Sequence, residues 1–127
     1  MPEVVLDASA LLALLNAEQG AERVAAGMPG ATMSAVNLSE VVGKLCAAGM
    51  PEKAIHQALN GLGISVVPFD EDQAYAAGLL RVATDEMGLS LGDRACLALA
   101  RKLRLSALTA DQTWLKLSLG VDVRLIR

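Results

Sequence analysis

Short apolar runs, each followed by a helix-like stretch, set the tightest limit on what this chain can fold into. Val4-Val5-Leu6 is continuous and apolar, the pattern of a strand covered on both faces. Ala31 to Val36, Ile64 to Val67, Leu105 to Leu108 and Val121 to Ile126 read as further strands. Between them the pattern predicts helices over Leu11 to Leu15, Ala21 to Ala26, Asn37 to Ala48 and Pro51 to about Leu62. It predicts a long one from an Asp70 cap to about Met87, one from a Ser90 cap to about Leu103, and a short one over Asp111 to Leu117. Pro51 suits a first turn, and Gly49, Gly63 and Gly88 stand where helices stop. Strands alternating with helices need crossover connections, hence an α/β fold with a mostly parallel sheet and helices on both faces. In such sheets function gathers at the carboxyl ends of the strands. The polar residues at those ends are therefore the ones to weigh.

At 127 residues the chain has the length of one domain, read as 1–127, and can bury about two-thirds of its unfolded surface. Hydrophobic residues at 54% exclude disorder. Aromatics at 2% argue against gripping single strands by stacking bases on exposed rings. Eleven Lys and Arg against fourteen Asp and Glu give a net charge of −3. That excludes a general electrostatic nucleic-acid binder, though not a local basic patch or a bound metal. Cys46 and Cys96 lack metal-ligand spacing and read as reduced core residues of a cytoplasmic protein. The apolar run from Val4 to Leu15 is interrupted by Asp7 and Ser9, is too short to span a bilayer and has no basic flank. Neither a membrane helix nor a signal peptide is expected from it.

Two strands deliver a carboxylate at their carboxyl ends. Val4-Val5-Leu6 runs into Asp7, and Leu105 to Leu108 runs through Thr109-Ala110 into Asp111. Each has a hydroxyl two residues away, Ser9 and Thr109. The competing explanation is helix capping, a common use of Asp after a strand. Glu40 is a third candidate. Asn37-Leu38-Ser39-Glu40 resembles a capping box with Asn37 as the cap, which favours the capping role on spacing alone. Yet Glu40 lies opposite the apolar stripe of Leu38, Val41, Val42 and Leu45, in the first turn after the second strand. Asp93 is the fourth, again in a box-like stretch, Ser90-Leu91-Gly92-Asp93. At about 100° per residue, Asp93 shares a face with Cys96, Leu97 and Ala100. A carboxylate on an apolar face is costly unless paired or bound to metal.

Four carboxylates at one rim would repel each other, and one or more would hold its proton at a raised pKa. Hard divalent ions such as Mg²⁺ and Mn²⁺ remove that conflict, since they prefer oxygen ligands. Nothing here suits zinc: His56 is the only histidine, on a helix face with Lys53, Gln57 and Asn60 that reads as solvated. There is no glycine-rich phosphate loop; Gly61-Leu62-Gly63 is a helix stop.

Four segments, in order, resemble a known family. They are Val4-Val5-Leu6-Asp7-Ala8-Ser9-Ala10-Leu11, Asn37-Leu38-Ser39-Glu40-Val41, Leu91-Gly92-Asp93-Arg94-Ala95-Cys96-Leu97-Ala98-Leu99-Ala100, and Leu108-Thr109-Ala110-Asp111-Gln112-Thr113-Trp114. They look like the PIN domain, and more closely like the VapC-type toxins of bacterial toxin–antitoxin pairs. The similarity covers the whole chain. It implies a single three-layer α/β domain whose five-stranded parallel sheet has the order 3-2-1-4-5. It implies a Mg²⁺- or Mn²⁺-dependent endoribonuclease, with Asp7, Glu40, Asp93 and Asp111 as the catalytic, metal-holding carboxylates. Ser9 and Thr109 would be supporting hydroxyls. Arg94 matches a position often basic in these toxins and is a candidate for substrate binding, against a solvated helix charge. Trp114 falls in the last motif and is better read as a packing residue. The implied partners are an RNA substrate, an antitoxin whose tail covers the acidic site, and a second copy in a homodimer.

Phosphodiester hydrolysis suits these residues, because bound metal activates water at neutral pH and carboxylates accept the proton. Among basic residues, Arg94 and Arg101 share a helix edge, while Lys102 and Arg104 read as solubilising charge. Two other classes compete. A receiver-like phosphoacceptor or a phosphatase also puts Asp at the end of its first strand. The former wants a lysine at a later strand end and the latter a second Asp where this chain has Ser9. The remaining alternative is a PIN fold kept as a binding module without nuclease activity.

Overall fold

Each apolar run becomes a strand, and the alternation of side chains along those strands decides what lies above and below the sheet. The computed structural model describes residues 3–127. Its strands are β1 (Val4–Leu6), β2 (Ala31–Ser34), β3 (Ser65–Val67), β4 (Ser106–Thr109) and β5 (Val123–Leu125). All pair in parallel, in the order β3-β2-β1-β4-β5, the order the family resemblance implies. The helices are α1 (Ala8–Leu15), α2 (Ala21–Gly27), α3 (Ala35–Ala47), α4 (Glu52–Asn60), α5 (Glu71–Leu79), α6 (Arg81–Thr84) and α7 (Leu91–Leu103). Short 3-10 turns cover Met28–Gly30, Asp85–Met87 and Gln112–Lys116.

Val4 and Leu6 point into one core with Leu11, Met33, Val41 and Leu108; Val5 points into the other with Ala107, Leu97 and Leu99. The first core is roofed by α1 to α4, the second by α5 and α7. Full burial of side chains such as Leu6 or Leu97 stabilises by about 1.5–3 kcal/mol each relative to exposure. Central β1 is buried along its whole length, so its carboxyl end opens into the middle of the molecule.

Several boundaries differ from the sequence reading, each for a local reason. Helix α3 starts at Ala35, with Ser34 as its cap accepting from Val36 N–H (3.2 Å); Asn37 is therefore inside the helix rather than its cap. The long helix predicted from Asp70 to Met87 is broken after α5. Gly78 lowers helix propensity there, and the Thr84 hydroxyl turns back onto the Leu80 carbonyl (2.8 Å). The segment after Asp111 is a 3-10 turn rather than an α-helix. The predicted stop at Gly49 is found, with a left-handed φ of 95° that suits glycine. Cys96 is a core residue as expected, but Cys46 lies exposed on α3, because its position falls outside the stripe of Val41 and Leu45. Trp114 is fully buried as a packing residue.

Candidate active site

Parallel register builds the centre of the site. Leu6 pairs with Leu108, so the next step along both strands brings Asp7 beside Thr109 on the same face of the sheet. The Thr109 hydroxyl donates to Asp7 Oδ2 (2.5 Å). Ser9 Oγ and the Ala10 N–H both donate to Asp7 Oδ1 (2.7 and 2.8 Å). Both hydroxyls also accept from the β4 end, Ser9 from Ala110 N–H and Thr109 from Asp111 N–H, at 3.0 Å each. Asp7 is thus the cap of α1, as the competing explanation holds, and also the hub of a network between two strands.

Asp7 is only 5% exposed. Burial pushes its pKa up from 3.8 to about 6, against the three hydrogen bonds that favour the charged form; the charge of Asp93 adds a smaller upward push. The raised pKa expected at a carboxylate rim is therefore present at Asp7, but desolvation rather than mutual repulsion is its main cause. The Cys96 thiol beneath is also pushed up, by burial first and then by Asp7, Asp93 and Glu40.

Glu40 comes from α3, one turn further into the helix than the sequence predicts, with an exposed side chain. It is not the second member of a capping box with Asn37. Instead the buried Asn37 Nδ2 donates to Glu40 Oε1 (3.0 Å) and to the Gly92 carbonyl on α7 (2.9 Å). Asp93, half-buried in the first turn of α7, forms the capping box the sequence suggests. Its Oδ2 accepts from Ser90 N–H (3.0 Å) and its own N–H donates to Ser90 Oγ (3.2 Å). Asp111 Oδ1 accepts from the N–H and hydroxyl of Thr113 (2.9 and 2.7 Å).

Asp7, Glu40, Asp93 and Asp111 line a single cleft of about 250 Å³, together with Ser9, Leu12 and Lys44. Lys44 escaped the sequence reading. Its signal was available: it follows Glu40 by four positions, one helical turn along the same face. Arg94 points elsewhere, its Nη1 donating to the Ala77 carbonyl on α5 (3.1 Å). His56 is exposed beside Glu52, as the sequence suggests (3.5 Å). A larger concavity of about 510 Å³ lies between α3, α4 and β3, lined mainly by apolar residues such as Leu38, Val42, Ile55 and Leu59. Its polar lining is Glu52, His56 and Asn60, with Glu52 the single carboxylate and already beside His56, so the smaller cleft with four carboxylates is the better candidate for chemistry.

Among the described residues, no three His, Cys, Asp or Glu side chains stand close enough to hold an ion as they are. Each carboxylate is turned to local donors. Glu40 Oε2, Asp93 Oδ1 and Asp111 Oδ2 carry no hydrogen bond among the described residues. The donor chemistry is that of a hard divalent cation, all oxygen with one buried carboxylate in need of positive charge. The outer side chains would have to turn inward to hold one.

The family model described as "PIN domain" matches residues 4–118. The fold is similar to several solved structures. The DNA-bound VapBC of Salmonella typhimurium matches with a TM-score of 0.78 at 17% identity, covering 100% of both chains. A toxin–antitoxin complex from Klebsiella pneumoniae matches at 0.77 and 22%, covering 98% of each. VapC20 of Mycobacterium tuberculosis, described as a sarcin-ricin loop cleaving toxin, matches at 0.74 and 24%, covering 90% of this chain and 94% of that one. No curated protein matches the chain in sequence.

Proposed function

The chain belongs to the PIN domain family, and from that premise we propose that it is a metal-dependent endoribonuclease, the toxin of a toxin–antitoxin pair. The observation that carries this reading is the cleft itself, lined by four carboxylates that follow β1 and β4 or stand on α3 and α7, one of which, Asp7, is buried. Stability alone gives no reason to bury a carboxylate there. RNA as the substrate class is supported by VapC20, whose target is the sarcin-ricin loop.

In this reading Asp7, Asp93 and Asp111 would hold Mg²⁺ or Mn²⁺, with Glu40 beside them. A divalent cation bound there would supply positive charge and lower the pKa of water, so that it could act as a nucleophile at neutral pH. Ser9, Thr109 and the Ala10 N–H fix the orientation of Asp7. Glu40 takes the proton of the attacking water through its free Oε2. Lys44, the cation on the cleft wall, offers its ammonium to a substrate phosphate. The products are a 5′-phosphate and a 3′-hydroxyl, and no 2′-hydroxyl attack is required.

The antitoxin partner is supported by the relatives from Salmonella and Klebsiella, both seen in toxin–antitoxin assemblies. A tail covering this cleft would present a cation, an arginine above all, to the carboxylates. Homodimerisation has an apolar surface to use, since Tyr75, Leu79 and Val82 are 66%, 79% and 89% exposed on α5 and α6. Among the described residues no helix is long and apolar enough to cross a membrane; we place the protein's action in the cytoplasm, where RNA is met.

The decisive experiment is cleavage of RNA by the purified protein with EDTA, Mg²⁺ or Mn²⁺. Chelation should abolish cleavage and Mn²⁺ restore it; full activity in excess chelator overturns the reading. Expression alone should halt bacterial growth, and D7N should relieve it. An inactive, non-toxic protein that still binds RNA or antitoxin would favour a binding module instead.

A further inference from the structure

Two residue choices in this chain are unfavourable for folding and meet at the same carboxylate. The first is Asn37. It sits in the first turn of α3 and is 1% exposed, although asparagine is a weak helix former and a buried amide is costly unless bonded. Both bonds of its Nδ2 are made, one to Glu40 Oε1 and one across to the Gly92 carbonyl, while its Oδ1 is buried with no partner among the described residues. The second is Gly92, buried in the first turn of α7. Its φ is not in the left-handed region, so the backbone there does not require glycine. What requires it is space. A Cβ on Gly92 would collide with both oxygens and the carboxyl carbon of Glu40. The Glu40 carboxyl therefore packs against the Gly92 backbone, tied there by the same Asn37 amide that bonds the Gly92 carbonyl.

We propose that Asn37 and Gly92 form a clamp that fixes the Glu40 carboxylate beside Asp93. Asn37 is the positioning residue, tying α3 to the start of α7 and taking Oε1. Gly92 is the floor that only a residue without a side chain can provide. The exposed Glu40 would otherwise sample many rotamers; clamped, it keeps Oε2 directed at one place. An amide suits this task because it donates twice from one nitrogen and carries no charge to compete with the carboxylates. The clamp deepens the nuclease reading and rests on it for its purpose, though not for its geometry.

The test uses Gly92→Ala, Asn37→Asp and Glu40→Gln in the full chain. Alanine is a better helix former than glycine, and the atoms it displaces are the far end of a flexible side chain. G92A should therefore melt at or above the wild-type temperature without metal, while kcat for RNA cleavage drops at least ~10-fold and KM stays within about twofold, the pattern of a lost transition-state group. N37D is isosteric and removes the donor, and should lower kcat in the same way. In the E40Q background, G92A should add no further loss, because it acts through Glu40. A G92A protein that melts lower and cleaves normally, or whose loss multiplies with that of E40Q, overturns the proposal. A second readout is independent of activity. The Asn37 side-chain amide protons should exchange slowly by NMR in wild type and quickly in G92A. Fast exchange in wild type overturns the clamp even if RNA is cleaved. Slow exchange in a wild type that cleaves no RNA leaves the clamp standing and overturns the nuclease reading alone.

Discussion

Asp7 and Asp93 are the same residue type, each accepts a backbone N–H at the start of a helix, and both line one cleft, yet they bear opposite loads. Ser90 is the cap of α7, and Asp93 completes its capping box from a half-exposed position through reciprocal bonds. Such a cap contributes about 0.5–2 kcal/mol and needs no further reason to exist. Asp7 caps α1 from the interior and gathers three donors, and still its carboxyl is held near pKa 6 by burial. With a folded pKa of about 6 against 3.8, its ionisation costs the fold about 3 kcal/mol above pH 6. A carboxylate that merely capped could do so at the surface for less. The contrast separates a capping-box carboxylate that also reaches a cleft from a buried carboxylate whose cap alone does not account for its burial.

The sharpest way to break this contrast is D7N. Cleavage of RNA should fall at least ~1000-fold, within the range of a lost catalytic carboxylate. Without metal at pH 7.5, the variant should be more stable than wild type by up to about 3 kcal/mol, read by chemical denaturation. The pH dependence carries the same sign. A raised folded pKa means the native state binds more protons than the unfolded chain between roughly pH 4 and 6. The Asp7 contribution is therefore fully present below pH 4 and lost as pH rises through 6, so metal-free wild type weakens across that window while D7N does not. Equal pH profiles would remove Asp7 as the buried load. The next largest effect is E40Q. Glutamine keeps an oxygen for Asn37 and loses the charge, so turnover should drop ~100-fold with little change in melting temperature. Unchanged turnover returns Glu40 to a surface role. T109V, measured by denaturation, should cost about 1–2 kcal/mol, since it strips Asp7 of one donor and leaves the Asp111 N–H without its acceptor. D93N should do least in metal-free melts, within about 1 kcal/mol, because asparagine can still accept from Ser90 N–H. With Mg²⁺ at ten times its dissociation constant, wild type should gain about 1.4 kcal/mol and D93N should lose most of that gain. A D93N protein with the full Mg²⁺ gain leaves Asp93 a member of the capping box and nothing more.

The strands and their parallel pairing were legible in the alternation of strands and helices, while their order came with the family resemblance. Asp7 and Asp111 stood out as strand ends and Asp93 by its apolar helix face, whereas Glu40 read on spacing alone as part of a capping box and joined the others through the resemblance. Asp7 and Thr109 could be paired once β1 and β4 were taken as neighbours. What was hidden depended on tertiary contact. Asn37 looked like a helix cap because Asn before an apolar stripe usually is one; Ser34 took that role three residues earlier, and only the approach of α7 shows what Asn37 bonds. Gly92 looked like part of a capping stretch, and its lack of a side chain gains meaning only with Glu40 resting on it. The break after α5 and the exposure of Cys46 likewise follow from how the helices dock, which no short window of sequence records.

The bonds from Thr109 and Ala110 to Asp7 and Ser9 join residues 102 and 101 positions apart. Their formation waits on one of the longest loop closures the chain makes, after helices and nearer strand pairs have formed. If the proposed activity holds, its onset is expected late on the folding path. On dilution from denaturant, helical signal should return before RNA cleavage does, and a partly folded chain should be harmless to its host.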